Sequence, residues 1–344
     1  MSARTPVPAD RAFAVIPCLN EREHVGRLID DLLNDADWAD PLIVVADGGS
    51  DDGTLEIVQA RSDRDPQVRV LANPRRLQGA ALNAAAIAHG SGRRWMIRVD
   101  AHGAYSPNYV SSLIEEARKA QAASVVVAMR SVGVGCFQRA VAAAQNSRLG
   151  TGGSAHRGAG NAGFVDHGHH ALFDLERFVA VGGYDESFAQ NEDAELDARL
   201  ARAGGRIWLT RAASMVYYPR SDAAALFRQY CGYGRGRART ILKHGLKPRF
   251  RQVAPLAVPP ALLLLVLSFW WAPAALPALV WAVGSLAYGV WLGAVSRSRC
   301  AAAAGFPAII MHAGFGVGFW LQLVRHWAES WGSARPPVAS TPTP

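Results

Sequence analysis

Three short stretches put carboxylates where an apolar run stops. In "WMIRVDAHGAY" the run ends on Asp100, with His102 two positions on; "VVADGGSDDGT" sets Asp47 before two glycines; "NED" brings Glu192 and Asp193 to the start of a helical pattern. Side chains alternate along a strand with period two, so Asp100 and His102 can point the same way and together hold a divalent cation that neutralises a diphosphate. The carboxylate of Asp47 can face the N–H or hydroxyl groups of a ligand. Asp193 or Glu192, held in a cleft, can act as a general base on a sugar hydroxyl. Each stretch alone also admits a plain structural role, since acids favour turns, cap helices and complement the helix dipole.

Placing these residues requires strand ends. Residues 13–130 alternate the β-branched runs "FAVIPC", "PLIVVAD", "VRVLAN", "WMIRVD" and "SVVVAMR" with segments whose apolar residues recur at helical spacing. Strands alternating with helices of that length predict an α/β domain with a doubly wound, mostly parallel sheet, whose ligands bind at the carboxyl ends of the strands. Residues 150–168, rich in Gly and His, read as a long functional loop. A second block follows, with a helix from about Glu192 to Ala203 and a strand around Arg206 to Thr210.

Composition narrows the class. The net charge is +8, but residues 1–222 hold 24 Lys+Arg against 27 Asp+Glu, while residues 223–328 hold 11 Lys+Arg and no acid. The positive charge therefore sits in the C-terminal third, which argues against nucleic acid as partner and points to a membrane surface. Apolar runs at about 253–272, 274–295 and 301–324 are each long enough to span about 30 Å of hydrocarbon. Trp270, Trp271 and Pro273 sit where an interfacial turn would fall. Lys247, Arg249 and Arg251 before the first run, and Arg297 and Arg299 between the second and third, read as cytoplasmic. Arg325 and His326 run against that pattern, because three crossings would put them outside; a buried helical hairpin is the alternative. Cys18, Cys136, Cys231 and Cys300 form no CxxC pair, which fits a reducing compartment. The short run from Ala12 to Leu19, broken by Pro17, is too little for a signal peptide. The expected organisation is a flexible 1–11, a catalytic domain 12–222, a basic amphipathic interfacial segment 223–252, about three transmembrane helices over 253–326, and a disordered tail 327–344.

In order, "VIPCLNE", "VVADGGSDDGT", "GAALNAA", "VDAHGAYSPNYV" and "GGYDESFAQNEDAELDARLARAGGRIW" resemble family 2 glycosyltransferases of the GT-A fold over about residues 12–240. "VDAH", "VDHGHHALF" and "NEDAELDARL" look more particularly like the succinoglycan-biosynthesis glucosyltransferase branch, the ExoA-like proteins. The resemblance implies an inverting transfer from a UDP-sugar, such as UDP-glucose, to a hydroxyl of a lipid-linked oligosaccharide during exopolysaccharide biosynthesis. It implies a plasma (inner) membrane location, a cytoplasmic catalytic domain and assembly partners. Asp47, with Pro17, Asn20 and Glu21, matches the uridine end of the donor site, and Gly79 joins it. Asp100 matches the first acid of the family's DxD motif and His102 stands where the second would be, so these two would hold Mn²⁺ or Mg²⁺. Asp193 matches the general base, with Glu192 beside it. "RQYCGYGRGR" departs from the family's QxxRW motif, leaving Gln229 and Arg235 or Arg237 for the diphosphate. His167, His169 and His170 of "HGHH" suit acceptor binding or strand structure better than a metal cluster. A polyprenyl-phosphate glycosyltransferase, which needs no general base, and a non-catalytic sugar-nucleotide scaffold are the alternatives. A dehydrogenase is disfavoured because no GxGxxG follows the first strand.

Overall fold

A computed structural model describes residues 11–157 and 161–333. The N-terminal part runs β1 (Ala12–Cys18), α1 (Val25–Leu33), β2 (Ile43–Asp47), α2 (Thr54–Ser62), β3 (Val68–Ala72), α3 (Gln78–His89), β4 (Trp95–Arg98), β5 (Ala104–Tyr105), α4 (Tyr109–Ala120) and β6 (Ser124–Ser131). It continues through α5 (Cys136–Gln145), α6 (Arg148–Thr151), β7 (Gly163–Val165), β8 (His169–Asp174), α7 (Leu175–Ala180), α8 (Glu192–Arg202) and β9 (Ile207–Tyr217). The C-terminal helices are α9 (Ala223–His244), α10 (Phe250–Val253), α11 (Val258–Leu267), α12 (Leu276–Ser296), α13 (Arg299–Ala302) and α14 (Gly305–Ser333).

The strands form one mixed sheet in the order β3-β2-β1-β4-β8-β6-β9-β5, with β7 also on β9. Alternation along β1 shows why the sheet is covered on both faces. Ala12, Ala14 and Ile16 face a layer with Val25 and Ile29 of α1 and Val110 and Leu113 of α4. Phe13 and Val15 face the opposite layer, with Leu82 of α3, Phe178 of α7 and Leu200 of α8. All five expected strands form, and β3, β2, β1 and β4 are mutually parallel. The sheet is less parallel beyond them: β8 inserts between β4 and β6, antiparallel to both. This insertion carries "HH" of the His-rich stretch into the sheet at the carboxyl ends of its neighbours. The segment expected as one long loop contains α6, a 3-10 turn at Ala155–Arg157 and β7.

Most of the basic segment is one long helix, α9 (Ala223–His244), with two packed faces, and the remainder leads into α10. On one, Gly232 and Gly236 of α9 lie against Gln190 and Asn191, leaving no room for a β-carbon. On the other, Gly234 meets the backbone of Phe315 and Phe319 on α14, while Gly314 and Gly318 of α14 meet the backbone of Phe227 and Cys231. The contacts advance together along both helices, so α9 and α14 run parallel, in close approach through small residues. Glu195, fully buried, receives Arg199 and, from α9, Lys243 (2.6 Å) and His244 (3.0 Å), which fastens α9 to α8.

Three C-terminal helical segments, 250–267, 272–296 and 305–331, are long and apolar enough to cross a membrane. α11 and α12 form a hairpin whose turn exposes Phe269, Trp270 and Trp271 and whose arms expose Leu263, Val266, Val280 and Val290. α14 lies across the base of this hairpin. At Gly305 it touches Ser285 and Leu286 of α12; at Gly316 it touches Pro255 and Pro259 at the start of α11, and Trp320 donates to the Leu256 carbonyl at 2.9 Å. α14 also extends through Ser333, into the segment expected as a tail; residues 334–344 and 1–10 lie outside the described residues. Cys136 and Cys300, 164 positions apart, form a disulfide joining α5 to α13. Spacing could not reveal that contact, and a disulfide is not what a reducing compartment favours, so the cysteine-based compartment reading is withdrawn.

Candidate active site

The residue that organises the site is Arg98, the last of β4, only 4% exposed. A buried guanidinium requires carboxylates around it, and Asp100, just beyond β4, and the first turn of α8 supply them. Its Nε donates to Asp100 Oδ1 (3.0 Å), its Nη1 to Asp193 Oδ1 (2.8 Å), and its Nη2 to Gln78 Oε1 (2.8 Å); Glu192 lies 3.7 Å from Nη1. Asp100 and Asp193, 93 residues apart in sequence, are thus bound to opposite sides of one cation. Sequence reasoning passed over Arg98, although an arginine inside "WMIRVD" was a signal.

Asp193 stands in the first turn of α8, whose preceding residue, Asn191, is held in the left-handed region (φ 60°) by a bond from its Nδ2 to the Tyr233 carbonyl. Tyr184 OH donates to Asp193 Oδ1 at 2.9 Å, and His170 Nδ1 lies 3.3 Å from the same oxygen. His170 in turn meets Asp197 through Nε2 (2.7 Å), and His167 meets the other Asp197 oxygen (2.8 Å). Burial opposes charge on His170, but the carboxylates of Asp197 and Asp193 prevail and raise it to about 10. Burial likewise works to raise Asp193, yet Arg98 and His170 hold it well below the usual carboxylate range. Glu192 moves the other way, raised by burial and by the charge of Asp193. Two adjacent carboxyls are therefore held in opposite protonation tendencies, a pattern common at acid–base sites.

At the Asp100 end, His169 Nε2 lies 3.5 Å from Asp100 Oδ2, and burial pushes that imidazole down to about 4, so it is neutral. His102 is elsewhere engaged, its Nδ1 2.9 Å from Glu21 Oε1, which raises its pKa. Among the described residues no group of three or more His, Cys, Asp or Glu side chains is arranged to hold a metal. Asp100 Oδ2 with a neutral His169 still offers one oxygen and one nitrogen, a set that fits a divalent cation completed by diphosphate oxygens and water.

The other expected residues divide. Asn20 and Asp51 exchange two bonds (Asn20 Nδ2 to Asp51 Oδ1, 2.9 Å; Asp51 N to Asn20 Oδ1, 3.0 Å), joining the loops after β1 and β2. Pro17, next to last in β1, pairs in register with Ala46 of β2. The Asp47 carboxylate accepts from the backbone of Gly49 and Ser50 and from the Ser50 hydroxyl, so it shapes its own turn. Gly79 packs beneath Tyr184, where a β-carbon would come within 2.9 Å of the Tyr184 Cβ. Gln229 donates to Tyr217 OH at 2.8 Å while its own Oε1 is buried without a partner. Arg235 is on another face of α9, beside Leu321, Gln322 and Arg325. Arg237, two residues on, lines the cavity wall instead.

One cavity of about 1190 Å³ gathers part of this set, while Pro17, Asn20, Glu21, Asp47, Gly79 and Arg235 are not among its lining residues. Asp100, His102, His169, Glu192 and Asp193 are in its wall, as are Arg148, Arg157, Arg220, Arg228, Arg237 and Arg251. Val258 of α11, Trp281 of α12 and Met311 and Phe315 of α14 line it too, so it reaches the base of the apolar hairpin.

Residues 13–176 match the family described as "Glycosyl transferase family 2", a match that ends before α8 and the carboxylates it carries. Over 315 residues the chain is 49% identical to the "Succinoglycan biosynthesis protein ExoA" of Rhizobium meliloti (strain 1021), covering 91% of this chain and 95% of that protein. The fold is similar to that of the mannosyltransferase PcManGT from Pyrobaculum calidifontis, solved in complex with GDP-Man and Mn²⁺ (TM-score 0.59, 19% identity, 91% of this chain and 87% of that one).

Proposed function

This chain belongs to glycosyl transferase family 2, in the ExoA-like branch, and on that premise we propose that it is a membrane-bound inverting enzyme of succinoglycan-type polysaccharide biosynthesis. In this reading it moves glucose from UDP-glucose onto a hydroxyl of a lipid-linked glycan. The observation that carries the reading is the single cavity in which Arg98 ties Asp100 to Asp193 and which runs on to the apolar hairpin.

All the protein contacts of Asp193 named above converge on Oδ1, so Oδ2 is the oxygen that takes the proton of the acceptor hydroxyl. Arg98, Tyr184 and His170 orient that carboxylate, and Asp197 steadies His170 from behind. In this reading the acceptor hydroxyl, deprotonated by Asp193, attacks the anomeric carbon on the face opposite the departing diphosphate, so the bond to the acceptor forms as the bond to the diphosphate breaks and the centre inverts. Asp100 and His169 would hold a divalent cation, which when bound supplies positive charge to the leaving diphosphate. Arg220 and Arg228 add fixed positive charge in the cavity wall, suited to the same developing anion. Asn20, Asp47 and Asp51 set the turns at the ends of β1 and β2, where the uridine would lie.

The α11–α12 hairpin inserts in the bilayer, and α14 lies in the interfacial plane across its base. Trp320, Val324, Trp327 and Trp331, spaced four, three and four residues apart, form the exposed apolar stripe such a helix needs. Arg297 and Arg299 then share a side with Lys247, Arg249 and Arg251, as does Arg325, and the excess of positive charge makes that side cytoplasmic. The deciding experiment is turnover of radiolabelled UDP-sugars by isolated membranes, with and without chelator. Chelator-sensitive label in a lipid fraction is expected; UDP binding without transfer from any donor would overturn the reading.

A further inference from the structure

The donor chemistry leaves part of the cavity's charge unused. Arg237 lines the same cavity as Gln229, about two helical turns further along α9, and neither it, Arg148 of α6 nor Arg251 of α10 forms a close ion pair among the described residues, although Asp197 attracts Arg237 and Asp166 attracts Arg251 from farther off. Arg251 packs against Gly152, just beyond α6, which brings the α6 and α10 segments together. Burial together with the like charges of Arg251 and Arg249 pushes Arg237 down to about 10. His156, in the 3-10 turn between α6 and β7, has a buried Nδ1 without a partner, and its ring is held neutral by burial and by the neighbouring His167 and Arg157. Cations that converge in a cavity repel one another unless an anion lies between them, so the arrangement is paid for only when something negative is bound. The apolar neighbours of this cluster, Val258, Trp281, Met311 and Phe315, come from the helices at the hairpin base. A phosphate anion carrying an apolar chain satisfies both halves.

We propose that Arg148, Arg237 and Arg251, with the His156 imidazole, seat the diphosphate of a lipid-diphosphate-linked acceptor, whose apolar chain leaves between α11, α12 and α14 toward the bilayer. The site lies on the membrane side of Asp193, apart from the Asp100 end, so donor and acceptor diphosphates bind together without competing. This assignment rests on the lipid-linked acceptor reading above and gives that reading a place in the structure.

The test uses the full chain in neutral detergent with UDP and Mn²⁺ saturating, so that the donor end is filled. Farnesyl diphosphate is the probe, read by the change in intrinsic tryptophan fluorescence, with farnesol and inorganic pyrophosphate as half-ligands. Farnesyl diphosphate is expected to bind at least tenfold more tightly than either half, and Arg237→Gln and Arg148→Gln are each expected to weaken it at least tenfold. UDP affinity in both variants should stay within about twofold, which also reports that they are folded. The proposal is overturned if UDP displaces farnesyl diphosphate, if both variants bind it like the parent, or if phosphatidylglycerol in mixed micelles competes equally well, which would make the cluster a phospholipid headgroup site. Transfer by membranes tests the broader reading separately: absent transfer with Arg237-dependent binding would remove the enzyme and keep the site.

Discussion

At the scale of single residues, one arginine does what three motifs could not do separately. Asp100 and Asp193 each read from sequence as turn or cap residues as readily as catalytic ones. Arg98 joins the two, since both carboxylates meet one guanidinium that is only 4% exposed, and that arrangement supports the proposed catalytic roles. Asp193→Asn keeps the shape but loses the proton acceptor, so kcat for transfer should fall by about 10²–10⁴-fold, while UDP affinity, measured by equilibrium binding, stays within a few-fold. His169 and His102 are separable in the same way. If Asp100 and His169 form the cation's protein ligands, His169→Ala should raise the Mn²⁺ concentration for half-maximal activity about tenfold, and His102→Ala should raise it much less. Equal shifts would return His102 to the role its position in "VDAH" implies.

Among the elements, α9 is the joint between the α/β sheet domain and the apolar C-terminal helices. Its glycines let α8 and α14 approach on two faces, and Glu195 clamps it with Lys243 and His244. Burial opposes ionisation of Glu195, yet Arg199 and Lys243 hold its carboxyl below the ordinary value. A depressed carboxyl stabilises the fold at pH values above its unfolded pKa and loses that contribution as pH falls through the folded value. Glu195→Gln should therefore lower stability by about 3 kcal/mol at neutral pH, as expected for breaking a buried ion pair. That deficit, followed by thermal unfolding in detergent, should shrink below about pH 4, where the parent takes up the same proton. A deficit unchanged by acid would mean that Glu195 serves packing alone.

For the whole molecule the question is how a cavity with seven arginines meets a bilayer. In the proposed arrangement one inserted hairpin, with α14 across its base, would leave both α9 and the cavity mouth at the interface, whereas three full crossings would draw the α9–α14 pair into the hydrocarbon. A single cysteine introduced at Trp270, in a variant with the native cysteines replaced, should react with an impermeant maleimide from outside intact cells. One introduced at Ser330 should react only after the cells are opened. Labelling at Ser330 from outside would restore three crossings.

What the sequence determined by itself is the local and periodic part: five strands, the helices between them, the acids at strand and helix ends, and the apolar C-terminal runs. Those follow from propensity and period, which act over a few residues. The order of family motifs extended this to the residues Asp47, Asp100 and Asp193. Only the tertiary structure decided that β8 enters between β4 and β6, that Arg98 joins two distant carboxylates, and that His169 rather than His102 faces Asp100. It also decided that Cys136 meets Cys300, and that "CGYGRGR" is a pair of glycine-lined helix faces, on which Arg237 and not Arg235 turns to the cavity. The reason is common to all of them. Each depends on which segments pack together across tens of residues, and local preference along one chain carries no term for that.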